Sequence, residues 1–497
     1  MVRPTITVQG PAATLRAEPA AVQSVSDLLS PPDPGAAHTF AYKSGRWDGK
    51  VRLMSRGVFL AGLVPRVVEH LRSLGLNPDV LHALDAPAVP ICPSLVGVEL
   101  RPHQASGADA AIAAKSAVLE SPTASGKTIL GAEIARRLGS LSVLWLCHRD
   151  GLAQQTRAEL SKLIPRTIGL VQGKTADWHG ITVGMIPSLA AKIKAGDPGT
   201  RERLKQVRVV IADEAHHGAA DTWQLVVLSC ENATYRFGLT GTLPERDPLT
   251  DLKVEGLFGP KIVVAEQSEL EAQGFVATPT IRLLQPPAGS YPRYEDVREH
   301  VLPSWRTDAR PLQKLGTKLH QRAYQVGIVE NARRSDLLIQ RAVMPHYRAG
   351  EKVLLMADLR AHAADLAERA RAAGAERQWL VDGETKDRDA ILARFRDFAP
   401  PCLLVVTPWF REGMDLPEID VGVMAGSVES EIAVLQAAGR MLRVRPDKQT
   451  VLLYCCLDGR EPGNAKDYLA KHSLAVVGLF QRKGWHLDRL PQLAPAA

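Results

Sequence analysis

No Cys-x-x-Cys pair occurs in this chain. Its six cysteines (Cys92, Cys147, Cys230, Cys402, Cys455 and Cys456) are scattered, and the adjacent pair at the end has no counterpart elsewhere. That spacing excludes a zinc framework and a disulfide scaffold, and it suits a reducing cytoplasm. No run of 18 apolar residues is present, so neither a membrane span nor a membrane partner is expected. The opening "MVRPTITVQG" lacks the apolar core of a secretory signal. Repeats and low-complexity tracts are missing as well, so ordinary globular domains are expected. What is present is length and charge. With 497 residues and 45% apolar content the chain can build several cores, and a net charge of +7 is compatible with a polyanionic partner.

Residues 1–92 read as a small, separate α+β unit. "TITV" and "KVRLM" alternate like strands, and "PRVVEHLRSLG" is a helix opened by Pro65 and closed by Gly75. The proline-rich "LDAPAVPICPS" (84–94) is a linker. From about residue 95 short apolar runs alternate with amphipathic stretches. "AVLE", "SVLWLC", "TIGLVQ", "ITVGM", "VRVVIADE" and "YRFGLTGT" come first; after a break come "EKVLLMAD", "ERQWLVDG", "PCLLVVTP", "DVGVMAG" and "TVLLYCC". Buried strands spaced by helices mean a doubly wound parallel sheet, here twice over. The expected fold class is therefore α/β, with a first lobe over 95–285, a linker or insertion over 286–340, a second lobe over 341–460 and a helical tail over 461–497.

Two short stretches carry chemistry. "AVLESPTASGKTILGAEIARR" reads strand, loop, helix, and "SPTASGKT" (121–128) ends as a phosphate-binding loop must. Gly126 lets the backbone approach an anion closely, and the helix start supplies N–H groups. Lys127 reaches the β- and γ-phosphates of ATP, and the Thr128 hydroxyl binds Mg²⁺. Ser121 stands where the common motif has glycine, which is tolerable if the loop leaves its strand with ordinary dihedrals. The second stretch, "VVIADEAHH" (209–217), ends a strand in two acids at the edge where open α/β sheets bind ligands. Asp213 suits Mg²⁺, and Glu214 suits polarising the attacking water.

"SPTASGKT" and "DEAH" resemble motifs I and II of the superfamily 2 helicases, whose first motif has a small residue at the Ser121 position. Further segments resemble the family's motifs in order along 95–460. The resemblance implies two tandem RecA-like lobes and an ATP site lined by Arg101, Gln104, Pro122, Thr123, Ala124, Ser125, Gly126, Lys127, Thr128, Gly413 and Asp415. In "LRPHQ", Gln104 would bond the adenine edge and Arg101 stack on it, although His103 replaces the usual aromatic. "CHRDGLAQQ" with Arg149, "ITVGMIPSL" with Thr182 and "LLVVTPWFREGMDLPEID" with Thr407 resemble segments that hold a nucleic-acid strand. "GLTGT" resembles the coupling motif, with Thr240 and Thr242 acting together with His216. "QAAGRMLR" resembles motif VI. Arg440 and Arg443 lie three apart on one helix face, suited to arginine fingers, and Gln436 to positioning the water.

The stretch 42–72 holds seven basic and two acidic side chains with Trp47 and Phe59 between them. Arg46, Trp47, Lys50 and Arg52 are the expected nucleic-acid contacts there. "GRWDGKVRLM" and "GLVPRVVEHLRSLG" also resemble the N-terminal domain of UvsW-type phage helicases, and "RFGLTGTLPERD" and "GIVENARRSDLL" fit their XPB-like core. This implies a monomeric DNA helicase or translocase acting on branched, duplex and single-stranded DNA, RNA–DNA hybrids included. Its compartment would be the host cytoplasm if a phage encodes it. Three alternatives stay open: an RNA helicase, a duplex translocase of a restriction or repair complex, and a clamp with a decayed ATP site. The last is disfavoured by the intact Lys127, Asp213, Glu214, Gln436, Arg440 and Arg443.

Overall fold

Every apolar run expected as a strand between residues 116 and 240 becomes one in the computed structural model, which describes residues 3–83, 89–122, 125–241, 247–293, 295–299, 301, 313–407, 419–426, 450–460 and 467–489. The chain divides into two compact units, 1–266 and 267–497.

The first unit holds two sheets. The N-terminal one comprises β1 (Thr5–Gln9), β2 (Ala12–Arg16), β3 (Met54–Ser55), β4 (Val58–Leu60) and β5 (Asp79–His82), in the order β3-β4-β2-β1-β5. The expected strand "KVRLM" survives only at its last residue, because Gly49 and Gly57 take positive φ and turn the chain on either side. Phe59 is a core residue, 3% exposed, and is withdrawn from the nucleic-acid surface.

The second sheet is built from β6 (Ser116–Glu120), β7 (Val143–Cys147), β8 (Ile168–Gln172), β9 (Thr175–Asp177), β10 (Ile181–Met185), β11 (Val209–Asp213), β12 (Tyr235–Thr240) and β13 (Lys261–Val263). Its order is β13-β6-β12-β11-β7-β10-β8-β9, parallel except for the β8–β9 hairpin. Helices on both faces make near-continuous burial possible. All five residues of β7 and all six of β12 are buried, Arg236 among them.

The N-terminal domain is not separate from this lobe. Leu252, from the helix Pro248–Phe258, joins the N-terminal core. Gly62 lies so close to that helix that a β-carbon on it would sit 2.0 Å from the Glu255 carbonyl oxygen. The Arg66 guanidinium donates to both Glu255 carboxylate oxygens, at 3.1 and 2.7 Å. Arg236 completes the joint. Its buried guanidinium donates to the carbonyls of Leu257 (2.9 Å), Ala233 (2.9 Å) and, across the domain boundary, Gly10 (2.8 Å). With no carboxylate in reach among the described residues, burial pushes its pKa down to about 10.

The second unit has a fully parallel seven-stranded sheet: β14 (Thr278–Leu284), β15 (Lys352–Met356), β16 (Gln378–Val381), β17 (Cys402–Val406), β18 (Val421–Met424), β19 (Thr450–Cys456) and β20 (His486–Arg489). The order is β16-β17-β15-β18-β19-β14-β20. The expected boundary at 285 therefore falls past a strand that pairs in the second sheet. The expected helical tail contains the helix Tyr468–Arg482, but it also returns β20 to pair with β14. Within the segment read as a linker, Arg334 is fully buried. It donates twice to the Asp458 carboxylate (2.6 and 3.0 Å) and once to the Ala425 carbonyl (2.7 Å), and the Tyr291 hydroxyl donates to the same carboxylate. Nearby, His362 is fully buried, with no hydrogen-bond partner on either ring nitrogen among the described residues. Burial, helped by Arg334, holds its pKa down at about 3.

Candidate nucleotide site and nucleic-acid surface

The ends of three adjacent strands, β6, β12 and β11, meet at one edge of the first lobe's sheet. From β6 the chain enters the loop and then the helix Lys127–Arg137, capped by Gly126 at φ 87°, a left-handed value open to glycine at no steric cost. Ser121 is not among the residues with positive φ, so this position does not need glycine. The serine also has work of its own. Its N–H donates to the Thr240 carbonyl at 3.0 Å and its hydroxyl donates to Ser125 Oγ at 2.6 Å, which fastens the loop at both ends. Lys127 Nζ lies 3.5 Å from the Ser121 carbonyl, at the mouth of the loop.

Asp213 ends β11. Desolvation raises its carboxyl above the ordinary range, opposed by the Lys127 ammonium and by the Glu214 N–H, which donates to it at 3.0 Å; His148 is close enough to act on it as well. Glu214 has φ 53° and ψ 47°, left-handed backbone rarely occupied by a residue with a β-carbon. Its carboxylate lies 3.3 Å from His216 Nδ1, and the same nitrogen lies 3.4 Å from Thr240 Oγ1. So Lys127, Asp213, Glu214, His216 and Thr240 share one edge. Among the described residues, no group of three or more His, Cys, Asp and Glu side chains could hold a metal ion.

Gln104 is bonded to the loop and to the start of its own helix. Its amide N–H donates to the carbonyls of Ser125 (3.1 Å) and Gly126 (3.4 Å), and its carbonyl accepts from the Arg101 N–H (3.0 Å). Through these bonds it braces the loop that ends in Lys127. His103 Nε2 reaches the same Ser125 carbonyl at 3.1 Å. Thr182 is a correction: it is 1% exposed, and its hydroxyl both donates to and accepts from the His179 backbone, at 2.9 Å each. It lies at the start of β10, away from the binding edge, and cannot reach a strand. Arg149 follows β7 at the binding edge, with Nε 3.2 Å from His148 Nε2. Thr407 follows β17, buried, its hydroxyl without a partner among the described residues. Thr123, Ala124, Thr242, Gly413, Asp415, Gln436, Arg440 and Arg443 lie outside the described residues.

On the N-terminal domain, Arg46 and Lys50 are exposed. The Arg46 guanidinium sits 5.6 Å from the centre of the Phe40 ring, which is 74% exposed. Arg52 pairs with Asp48 at 2.6 Å, and the Trp47 indole N–H donates to the Lys50 carbonyl at 2.9 Å. Those bonds leave Trp47 partly committed to its own loop. Phe40 and the 45%-exposed Tyr42 were not singled out in the sequence, although two aromatics beside "KSGR" are a visible signal.

Comparison with known proteins decides the family. Residues 97–245 match the model described as type III restriction enzyme, res subunit, and residues 335–445 match the helicase conserved C-terminal domain. The two matches fall on the two sheets and together take in more than half of the chain. The chain belongs to superfamily 2 of the helicases. Among curated relatives, this helicase is 24% identical to a DNA 3'-5' translocase XPB2 of Sulfurisphaera tokodaii, over 72% of its own length and 81% of the relative's. It is 21% identical to the ATP-dependent DNA helicase uvsW of Enterobacteria phage T4, over 87% of its own length and 88% of the relative's. Among solved structures, the type ISP restriction-modification enzyme LlaBIII bound to DNA matches with a TM-score of 0.57 at 12% identity, over 80% of this chain and 32% of that one. That likeness shows the fold alone. No helix among the described residues is long and apolar enough to cross a membrane.

Proposed function

We propose that this superfamily 2 helicase is a monomeric, ATP-driven DNA translocase that remodels branched DNA by migrating junctions or regressing forks, with RNA–DNA hybrids as further substrates. The carrying observation is the exposed Phe40–Arg46–Lys50 surface on a domain fastened to the ATP-binding lobe by Arg236, Gly62 and Arg66. A basic surface with an open aromatic face suits phosphate and unstacked bases at a junction. The similarity to the phage T4 uvsW helicase supports this reading, because it extends over 87% of the chain.

The pocket residues fit a magnesium nucleotide. Asp213 is a carboxyl desolvated beside an ammonium, and Thr128 opens the helix after the loop. Magnesium takes one or two such protein oxygens and leaves the rest to water and phosphate. When bound, the ion would neutralise charge on the phosphates. In this reading Lys127 and the helix start hold the phosphates, Glu214 orients and deprotonates the attacking water, and Thr240 and His216 sense that site. Arg440 and Arg443 would supply the remaining positive charge, with Gln436 placing the water.

The test is ATP hydrolysis stimulated by a four-way junction and by linear duplex, in the parent and in Arg46→Ala/Lys50→Ala. The double variant should lose its preference for the junction and keep its response to duplex. An unchanged preference would remove the N-terminal surface from the account. A second reading, a duplex translocase serving a restriction complex, draws on the res-subunit match. It predicts equal stimulation by junction and duplex in the parent.

A further inference from the structure

Three histidines occupy the binding edge, and only His216 has a place in the scheme so far. β7 and β11 are neighbours, registered with Leu146 opposite Ala212, so the residues that follow them leave the sheet side by side. His148 follows β7. The 3₁₀ turn Ala215–His217 after β11 brings His217 back toward it. The rings of His148 and His217 stand 4.7 Å apart, centre to centre, and those of His217 and His216 stand 4.2 Å apart. His216 in turn touches Glu214 and Thr240. At the other end, Arg149 Nε meets His148 Nε2. An unbroken series of contacts therefore runs from Arg149, a residue expected to hold a strand, to Glu214, the residue expected to orient water. It crosses from the end of β7 to the turn after β11, and His216 also touches Thr240 at the end of β12.

We propose that His148 and His217 are positioning residues whose contacting rings, tilted by 47° to each other, transmit engagement of nucleic acid at Arg149 to the Glu214 side chain. This rests on the reading of the chain as a DNA-stimulated ATPase. Rings packed against each other at these separations, even tilted by 43–47°, resist independent displacement. A shift of the segment after β7 must then move His217, and with it His216, against Glu214. Glu214 is the one member of the series held in left-handed backbone. A side chain on such a backbone responds to small displacements of the groups that hold it. Neither His148 nor His217 needs to touch nucleotide or nucleic acid for this role.

A contact series is only a route until coupling is measured, and a double-mutant cycle measures it. His148→Ala, His217→Ala, the double variant and His217→Phe are made in the full chain. Steady-state hydrolysis is recorded without nucleic acid and at saturating DNA, with DNA affinity and thermal melting measured alongside. In His217→Ala the DNA-free rate should stay within about twofold of the parent, while the DNA-stimulated rate falls about tenfold, inside the range of ordinary coupling between sites. DNA affinity should change less than about threefold. The double variant should be no worse than either single variant, and His217→Phe, which keeps a ring, should recover most of the stimulation. Unchanged stimulation in His217→Ala, or losses that multiply in the double variant, would overturn the proposal. If His217→Ala does not fold, His148→Ala and His217→Phe decide the matter by the same comparison. A parent protein that DNA fails to stimulate overturns the functional reading and this proposal together; a stimulated parent with indifferent variants overturns this one alone.

Discussion

β12 has two ends that do opposite things. At its start, Arg236 donates to three carbonyls and holds the N-terminal domain to the lobe. At its finish, Thr240 accepts the Ser121 N–H and touches His216, beside a glutamate in left-handed backbone and a desolvated carboxyl. One end pairs its buried guanidinium with three carbonyls and gains stability. The other lies beside a left-handed glutamate and a desolvated carboxyl, both of which cost stability. The contrast places the left-handed backbone of Glu214 beside the end of the strand that carries the candidate site, and the joint between the domains at the other end.

The contrast can be broken from either side. Lys127→Ala should lower ATP hydrolysis at least about 100-fold, as loss of a charge-stabilising group does, and leave the melting temperature nearly unchanged. Arg236→Met should do the reverse. It orphans three buried carbonyls and costs about 3 kcal/mol of stability, read by denaturant unfolding, with the turnover of the folded fraction preserved. The second unit sharpens the same rule through His362. Its folded pKa of about 3 lies below the ordinary value of 6.5, so the unfolded chain binds the proton more readily between those limits. Stability is fully present above pH 6.5 and falls as pH drops below it, by up to about 1.4 kcal/mol per pH unit; His362→Phe should flatten that acid limb of an unfolding profile. The smallest stability effect is at Glu214. Asparagine occupies left-handed backbone at lower cost, so Glu214→Asn should gain about 1 kcal/mol while hydrolysis is lost. A destabilised Glu214→Asn would show that the left-handed turn stores no strain.

The strands of both lobes were legible because a parallel sheet covered on both faces needs uninterrupted apolar runs, and "VLWLC" or "CLLVV" admit little else. The phosphate loop and the acidic pair were legible because their chemistry fixes spacing. β14 and β20 were not assigned to the second sheet, since "TPTIRLL" and "HLDR" find their partners across well over a hundred residues or through each other, and no local pattern records that. Thr182 was misplaced because motif order says nothing about which end of a strand a residue occupies. Arg236 was missed although a signal existed. A charge inside "YRFGLT", a run otherwise fit for full burial, must find partners, and here one of the three, the Gly10 carbonyl, lies in another domain.

The most direct test of the central claim is the steady-state ATPase rate of the full chain with magnesium, measured without nucleic acid and then with single-stranded DNA, duplex DNA, a four-way DNA junction and RNA of matched length. DNA should raise the rate several-fold, the junction most of all, with RNA leaving it near the unstimulated value. A rate indifferent to every nucleic acid, or one raised by RNA as strongly as by DNA, would contradict the account.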